Sequence, residues 1–150
     1  MLKVGDPAPD ICVHTDTGEE FRLSDLKGKR VVLYFYPRAD TPGCTVEACE
    51  FRDDIKKFAQ KGAAVVGVSP DRPAAQAKFK TKYDLPFTLL ADEDKAVAQA
   101  FGAWKEKNMY GKMVMGIERS TFVIGPDGRI ERIYGKVKAK GHAAAVLAGL

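Results

Sequence analysis

Val31-Val32-Leu33-Tyr34-Phe35-Tyr36 is the longest apolar run in the chain. Six β-branched, aliphatic and aromatic side chains in a row leave no face for water. The run therefore predicts a strand at the centre of a sheet, covered on both sides. Pro37 ends it. Ala63–Val68 repeats the pattern, and Phe87–Leu90 forms a shorter third strand. Between them lie helical stretches. Thr45–Ala59 carries Val46, Cys49, Ile55 and Phe58 among charged residues, and Pro73–Lys82 opens with a proline suited to a first helical turn. Lys95–Phe101, stopped by Gly102, reads as a short helix, and Gly141–Leu150 as a terminal one.

Outside this alternating region the chain turns more often. Asp16-Thr17-Gly18 predicts a hairpin turn into a short strand at Phe21–Leu23, and Ser24-Asp25-Leu26 a single helical turn. Gly125-Pro126-Asp127-Gly128 joins strands at Ser120–Ile124 and Arg129–Tyr134. Alternating strands and helices followed by a hairpin predict an α/β layer with a mostly parallel sheet and an antiparallel edge. With no repeat or linker in view, residues 1–150 read as one domain.

Composition narrows the function. The 150 residues are 45% hydrophobic and 29% charged, which excludes a disordered chain. A net charge of +4 without a Lys/Arg cluster gives no reason to expect nucleic acid, and no apolar stretch approaches membrane-spanning length. The opening MLKVGDPAPD lacks a signal-peptide core, so a cytoplasmic, reducing location is expected. Three cysteines, Cys12, Cys44 and Cys49, are too few and too odd in number for a stapled scaffold. A chain of this length folds without them, so they raise the question of chemistry.

The segment after the central strand carries that chemistry, because sites in such sheets form at the carboxyl ends of strands. It reads Pro37-Arg38-Ala39-Asp40-Thr41-Pro42-Gly43-Cys44-Thr45-Val46-Glu47-Ala48-Cys49. Cys44 falls near the first helical turn, where free N–H groups and the macrodipole favour the reactive thiolate; the alternative reading is a small buried hydrophobe. Pro42-Gly43 allows a close backbone approach, and the Thr41 hydroxyl is within reach of the sulfur or a bound oxygen. Cys49 lies five residues on. In an intact helix that spacing holds the Cα atoms roughly 9 Å apart, whereas a disulfide needs less than about 7 Å. Cys49 is either a partner reached only by local unwinding or a core residue on the apolar stripe. Cys12 reads as a small buried hydrophobe. Trp104 reads as packing, and neither His14 nor His142 has an evident partner. No metal-binding spacing is present.

Phe35–Asp53, FYPRADTPGCTVEACEFRD, resembles the active-site segment of the peroxiredoxins, in particular the Q-type or bacterioferritin comigratory branch. The shared Pro-x-x-x-Thr-x-x-Cys pattern falls on Pro37, Thr41 and Cys44, and the branch's second cysteine on Cys49. The resemblance extends through Gly5–Asp10, Phe101–Lys112 and Gly116–Gly128. It implies a thioredoxin-like fold, with a central mixed sheet flanked by helices, and a thiol peroxidase needing no metal, haem or flavin. Cys44 would be the peroxidatic and Cys49 the resolving cysteine. Pro37 would shield the thiolate. Arg119, in GIERSTF, would orient the peroxide together with Thr41 and the backbone at Gly43. Glu47 matches a frequent acidic position, although an exposed first-turn glutamate is also explained by the macrodipole. The implied partners are a peroxide and thioredoxin or a similar dithiol, acting on a monomer. Two other readings remain at this point: a redox sensor using the same cysteine pair, and a one-cysteine peroxidase in which Cys49 is structural.

Overall fold

The computed structural model describes residues 2–150. Strands β1 (Cys12–Thr15) and β2 (Glu20–Arg22) lead through a 3₁₀ turn at Leu23–Leu26 into β3 (Arg30–Phe35). Helices α1 (Pro42–Asp53) and α2 (Ile55–Gln60) follow, then β4 (Ala63–Ser69), α3 (Pro73–Tyr83), β5 (Thr88–Ala91) and α4 (Ala96–Phe101). The chain ends with β6 (Trp104–Met109), β7 (Lys112–Ile117), β8 (Ser120–Ile124), β9 (Ile130–Tyr134) and α5 (His142–Ala148). No helix among the described residues is long and apolar enough to cross a membrane.

Seven strands form one mixed sheet in the order β2-β1-β5-β4-β3-β8-β9. The apolar run at 31–36 is central, as its composition requires. β3 pairs parallel with β4 and antiparallel with β8, so that Val32 sits between Val65 and Val123. Its residues alternate between two cores. Val31, Leu33 and Phe35 pack with Phe101 of α4 and Phe122. Val32, Tyr34 and Tyr36 face α1, α2, α3 and α5 through Ala48, Phe51, Phe58, Phe79 and Val146. Helices therefore cover both faces, which is why no residue of the run is polar.

The sheet is less parallel than the alternation of elements suggests. Only β3, β4 and β5 run parallel, and every other pairing is antiparallel. The early hairpin and the late hairpin each add an antiparallel edge, and neither crosses over through a helix. The helix expected over 45–59 begins earlier, at Pro42, and divides at Asp54, whose φ of −99° and ψ of 7° leave the helical region. The bend lets Phe51 and Phe58 enter the same core, their rings 5.6 Å apart. The β6–β7 ribbon, turned by Tyr110 (φ 53°) and Gly111 (φ 83°), has no counterpart in the sequence reading. Its residues are largely exposed, so no core face stamps an apolar alternation on them.

Candidate active site

Loop 36–41 leaves the carboxyl end of β3 and delivers the chain to α1. It is held from α3 and from the end of β4. Ala39 N donates to Asp71 Oδ2 at 2.7 Å, and Ser69 Oγ donates to the same oxygen at 2.6 Å. Asp40, at a left-handed φ of 59°, accepts from Lys82 Nζ and Tyr83 Oη at 2.9 and 2.8 Å. Beneath the loop, Tyr36 Oη donates to the buried Gln76 Oε1 at 2.6 Å. Gln76 Nε2 in turn donates to Ser69 Oγ and Leu90 O, tying α3 to the strand ends. The sequence reading found nothing in residues 38–40. The partners of Ala39 and Asp40 lie some thirty to forty positions away, so no local signal marks them.

Thr41 is the N-cap residue of α1, and Pro42, Gly43 and Cys44 make its first turn. The first helical bond runs from Thr45 N to Thr41 O at 2.8 Å. The N–H groups of Gly43 and Cys44 precede it and point at the space before the helix, ready for an anion. Thr41 Oγ1 donates to Arg38 O at 2.9 Å. It thus braces the loop, and it is not bonded to the sulfur as the sequence reading allowed. Pro37 is half-buried at the strand end.

Arg119 comes from the two-residue link between β7 and β8, next to β3 in the sheet. Its Nη2 donates to Cys44 Sγ at 3.3 Å, and its Nη1 to Glu47 Oε1 at 2.6 Å. Seventy-five residues separate the arginine from the cysteine. Val137 N donates to Arg119 O at 3.0 Å and fixes the backbone from which the side chain reaches over. Gly43 leaves the room: a Cβ there would sit 3.3 Å from Nη2. Cys44 is buried, at 2% exposure. The permanent cation on its sulfur and the N–H groups at the helix start suit an oxyanion forming beside it.

Glu47 departs from the expectation of an exposed glutamate. It is fully buried, one turn below Cys44, and forms the ion pair with Arg119. Burial pushes its carboxyl up to about 7, although Arg119 pulls the other way. Its Oε2 and the Tyr34 hydroxyl are both buried without a hydrogen-bond partner among the described residues. Lys107 of β6 approaches from the ribbon. Its stem lies over Gly116, and burial and the nearby Arg119 both lower its ammonium, while Glu118 and Cys44 oppose them.

The three thiols are separate. Cys49 is half-buried on the same unbroken helix as Cys44. Cys12 is exposed, which overturns its reading as a buried hydrophobe. It starts an edge-side strand, and its Sγ donates to Glu20 Oε1 at 3.1 Å across the hairpin. That bond raises its pKa, which disfavours the reactive form. His142 is buried against Phe51 and Tyr134, with Nε2 2.7 Å from Thr121 Oγ1. Trp104 packs against the core as expected. Among the described residues no group of three or more His, Cys, Asp or Glu is placed to hold a metal ion.

The sequence pattern of the AhpC/TSA family matches residues 4–133. The chain belongs to that family. Within it, the similarity is to the Bcp and PrxQ peroxiredoxins. Peroxiredoxin Bcp of Bacillus subtilis (strain 168) is 51% identical over 146 residues, covering 97% of this chain and 93% of that protein. Peroxiredoxin Bcp of Escherichia coli (strain K12) is 44% identical over 146 residues, covering 97% and 94%. A mutant of Xanthomonas campestris Peroxiredoxin Q superposes with a TM-score of 0.92 at 41% identity, covering 99% of this chain and 95% of that one. A bacterioferritin comigratory protein from the same organism, described for its alkyl peroxide reduction activity, gives 0.91 at 40% identity, covering 99% and 95%. The fold is the thioredoxin fold of the peroxiredoxins, and membership of the family carries thiol peroxidase activity.

Proposed function

We propose that this peroxiredoxin reduces hydrogen peroxide and organic hydroperoxides through Cys44 and is recycled through Cys49. The observation that carries the reading is the Arg119 Nη2 contact to Cys44 Sγ at 3.3 Å, made at a helix N-terminus. The thiolate attacks the terminal peroxide oxygen, an S–O bond forms, and the O–O bond breaks. Arg119 and the N–H groups of Gly43 and Cys44 stabilise the developing charge. Thr41 holds the loop that aims them, and Pro37 keeps water off the sulfur. The product is a sulfenic acid. Cys49 condenses with it after the start of α1 unwinds, giving an intramolecular disulfide and water. Thioredoxin or a similar dithiol then reduces the disulfide by exchange. A monomer working in the cytoplasm, where thiols are kept reduced, completes the reading.

The test is peroxide consumption coupled to thioredoxin and its reductase. Cys44→Ser abolishes turnover, Cys49→Ser blocks recycling through the disulfide, and Cys12→Ser leaves the rate unchanged. Turnover in Cys44→Ser overturns the reading. Full turnover in Cys49→Ser with no internal disulfide replaces it with a one-cysteine cycle.

A further inference from the structure

One guanidinium serves two acidic groups. Arg119 Nη1 holds Glu47 Oε1 at 2.6 Å while Nη2 holds Cys44 Sγ at 3.3 Å, and both acids are buried. The other charged and titratable neighbours bring no second cation to Glu47. Glu50, on the same helix, repels it, and Tyr34, beneath it on β3, offers an unpartnered hydroxyl. Lys107 of β6 and His142 of α5 lie on the Arg119 side. Glu47 Oε2 has no donor among the described residues. Two full negative charges here would leave one of them without a counter-charge in a water-poor pocket, which is costly. One negative charge balances the arginine.

We propose that Glu47 and Cys44 alternate as the single anionic partner of Arg119, so that Glu47 is a carboxylic acid while Cys44 is a thiolate and loses its proton when Cys44 becomes a sulfenic acid. The step balances. Thiolate, hydroperoxide and carboxylic acid yield sulfenic acid, alcohol (or water) and carboxylate. The sulfur gives up two electrons to the peroxide. The leaving alkoxide or hydroxide carries away the O–O electron pair and takes up one proton, and Glu47 releases one. The charge around Arg119 is zero before and after, so the positive field on the sulfur is not cancelled before attack. Glu47 acts through Arg119 and is a positioning residue. Its carboxyl, raised by burial and by Glu50, titrates in the range this exchange requires.

This inference rests on Cys44 being the peroxidatic thiol. The test uses Cys49→Ser, which stops at the sulfenic acid, in a buffer more acidic than Glu47's value of about 7. Hydrogen peroxide is added at one equivalent while infrared difference spectra are recorded. A carboxylic-acid carbonyl band is expected to disappear and a carboxylate band to rise, and adding Glu47→Gln is expected to remove both changes. The oxidation rate per thiolate, with thiolate followed by its ultraviolet absorbance, is expected to fall roughly tenfold as pH crosses Glu47's value, and to stay level with Glu47→Gln. Peroxide consumption with no carboxyl change overturns the proposal and leaves Cys44's role standing, whether or not the Gln variant folds. A carboxyl change that survives Glu47→Gln also overturns it. No peroxide consumption overturns both.

Discussion

Gly43→Ala separates the position of Arg119 from its mere presence. A Cβ at residue 43 would lie 3.3 Å from Arg119 Nη2, 3.9 Å from Cζ and 4.0 Å from Ala139 Cβ. Ordinary contacts of this kind sit at about 3.5–4.0 Å, so Nη2 must retreat by a few tenths of an ångström. Nη2 is the atom on Cys44 Sγ, and the bond is already 3.3 Å long. Nη1 is pinned to Glu47 at 2.6 Å, so the guanidinium pivots away from the sulfur. Gly43 is helical and not left-handed, so alanine adds no backbone strain. Replacing glycine in a helix gains up to about 1 kcal/mol. Losing a whole preorganised donor costs about 100- to 1,000-fold in rate, so a partial displacement is set at roughly tenfold, or about 1.4 kcal/mol. The assay is stopped-flow oxidation of Cys44 in a single turnover, beside thermal unfolding of the same samples. The expected result is slower oxidation in a protein at least as stable as the parent. A rate within twofold of the parent refutes the geometry, and a rate loss that tracks a stability loss refutes the mechanism of the effect.

Three further expectations concern α1 and its surroundings. Glu50 Oε1 accepts from Gly141 N at 2.8 Å and ties α1 to the start of α5. Glu50→Ala removes a tether of about 1 kcal/mol, so disulfide formation from the sulfenic acid should speed up roughly fivefold. The far-UV helical signal should fall on oxidation, and an unchanged signal refutes the need for unwinding. His142 is held down to about 4 by burial and by the charge of Arg119. Its folded form stays neutral where the unfolded imidazole is charged, so its contribution is intact above pH 6.5 and lost as pH falls through its folded value, at a cost of up to about 3 kcal/mol. His142→Gln should flatten that part of the acid-unfolding curve measured by urea midpoint, and identical slopes for the two proteins refute this.

Much of the fold was written in local patterns. VVLYFY announced a doubly covered strand because six apolar side chains in alternating directions need two cores. Gly102 at φ 73° and the Gly125–Gly128 turn marked boundaries through backbone chemistry that belongs to single residues. The β6–β7 ribbon escaped notice because exposed strands carry no apolar period, and its Tyr110-Gly111 turn is left-handed at both positions with no asparagine or aspartate at either of them. The degree of parallel pairing escaped for a different reason. Strand direction at a sheet edge depends on which neighbour a hairpin docks against, and only the assembled sheet specifies that.

The site divides the same way. The sequence alone determined a cysteine in the first turn of a helix that leaves a central strand, and a second one too far along that helix to bond it. Both follow from helix geometry and need no other part of the chain. The tertiary structure decided everything that depends on a charge arriving from elsewhere: Arg119 on the sulfur, the burial of Glu47, the exposure of Cys12, and Thr41 on Arg38 in place of the thiol. Electrostatic effects grow as water is removed. Which groups share a dry pocket is a property of packed layers, and no single segment of the chain contains it.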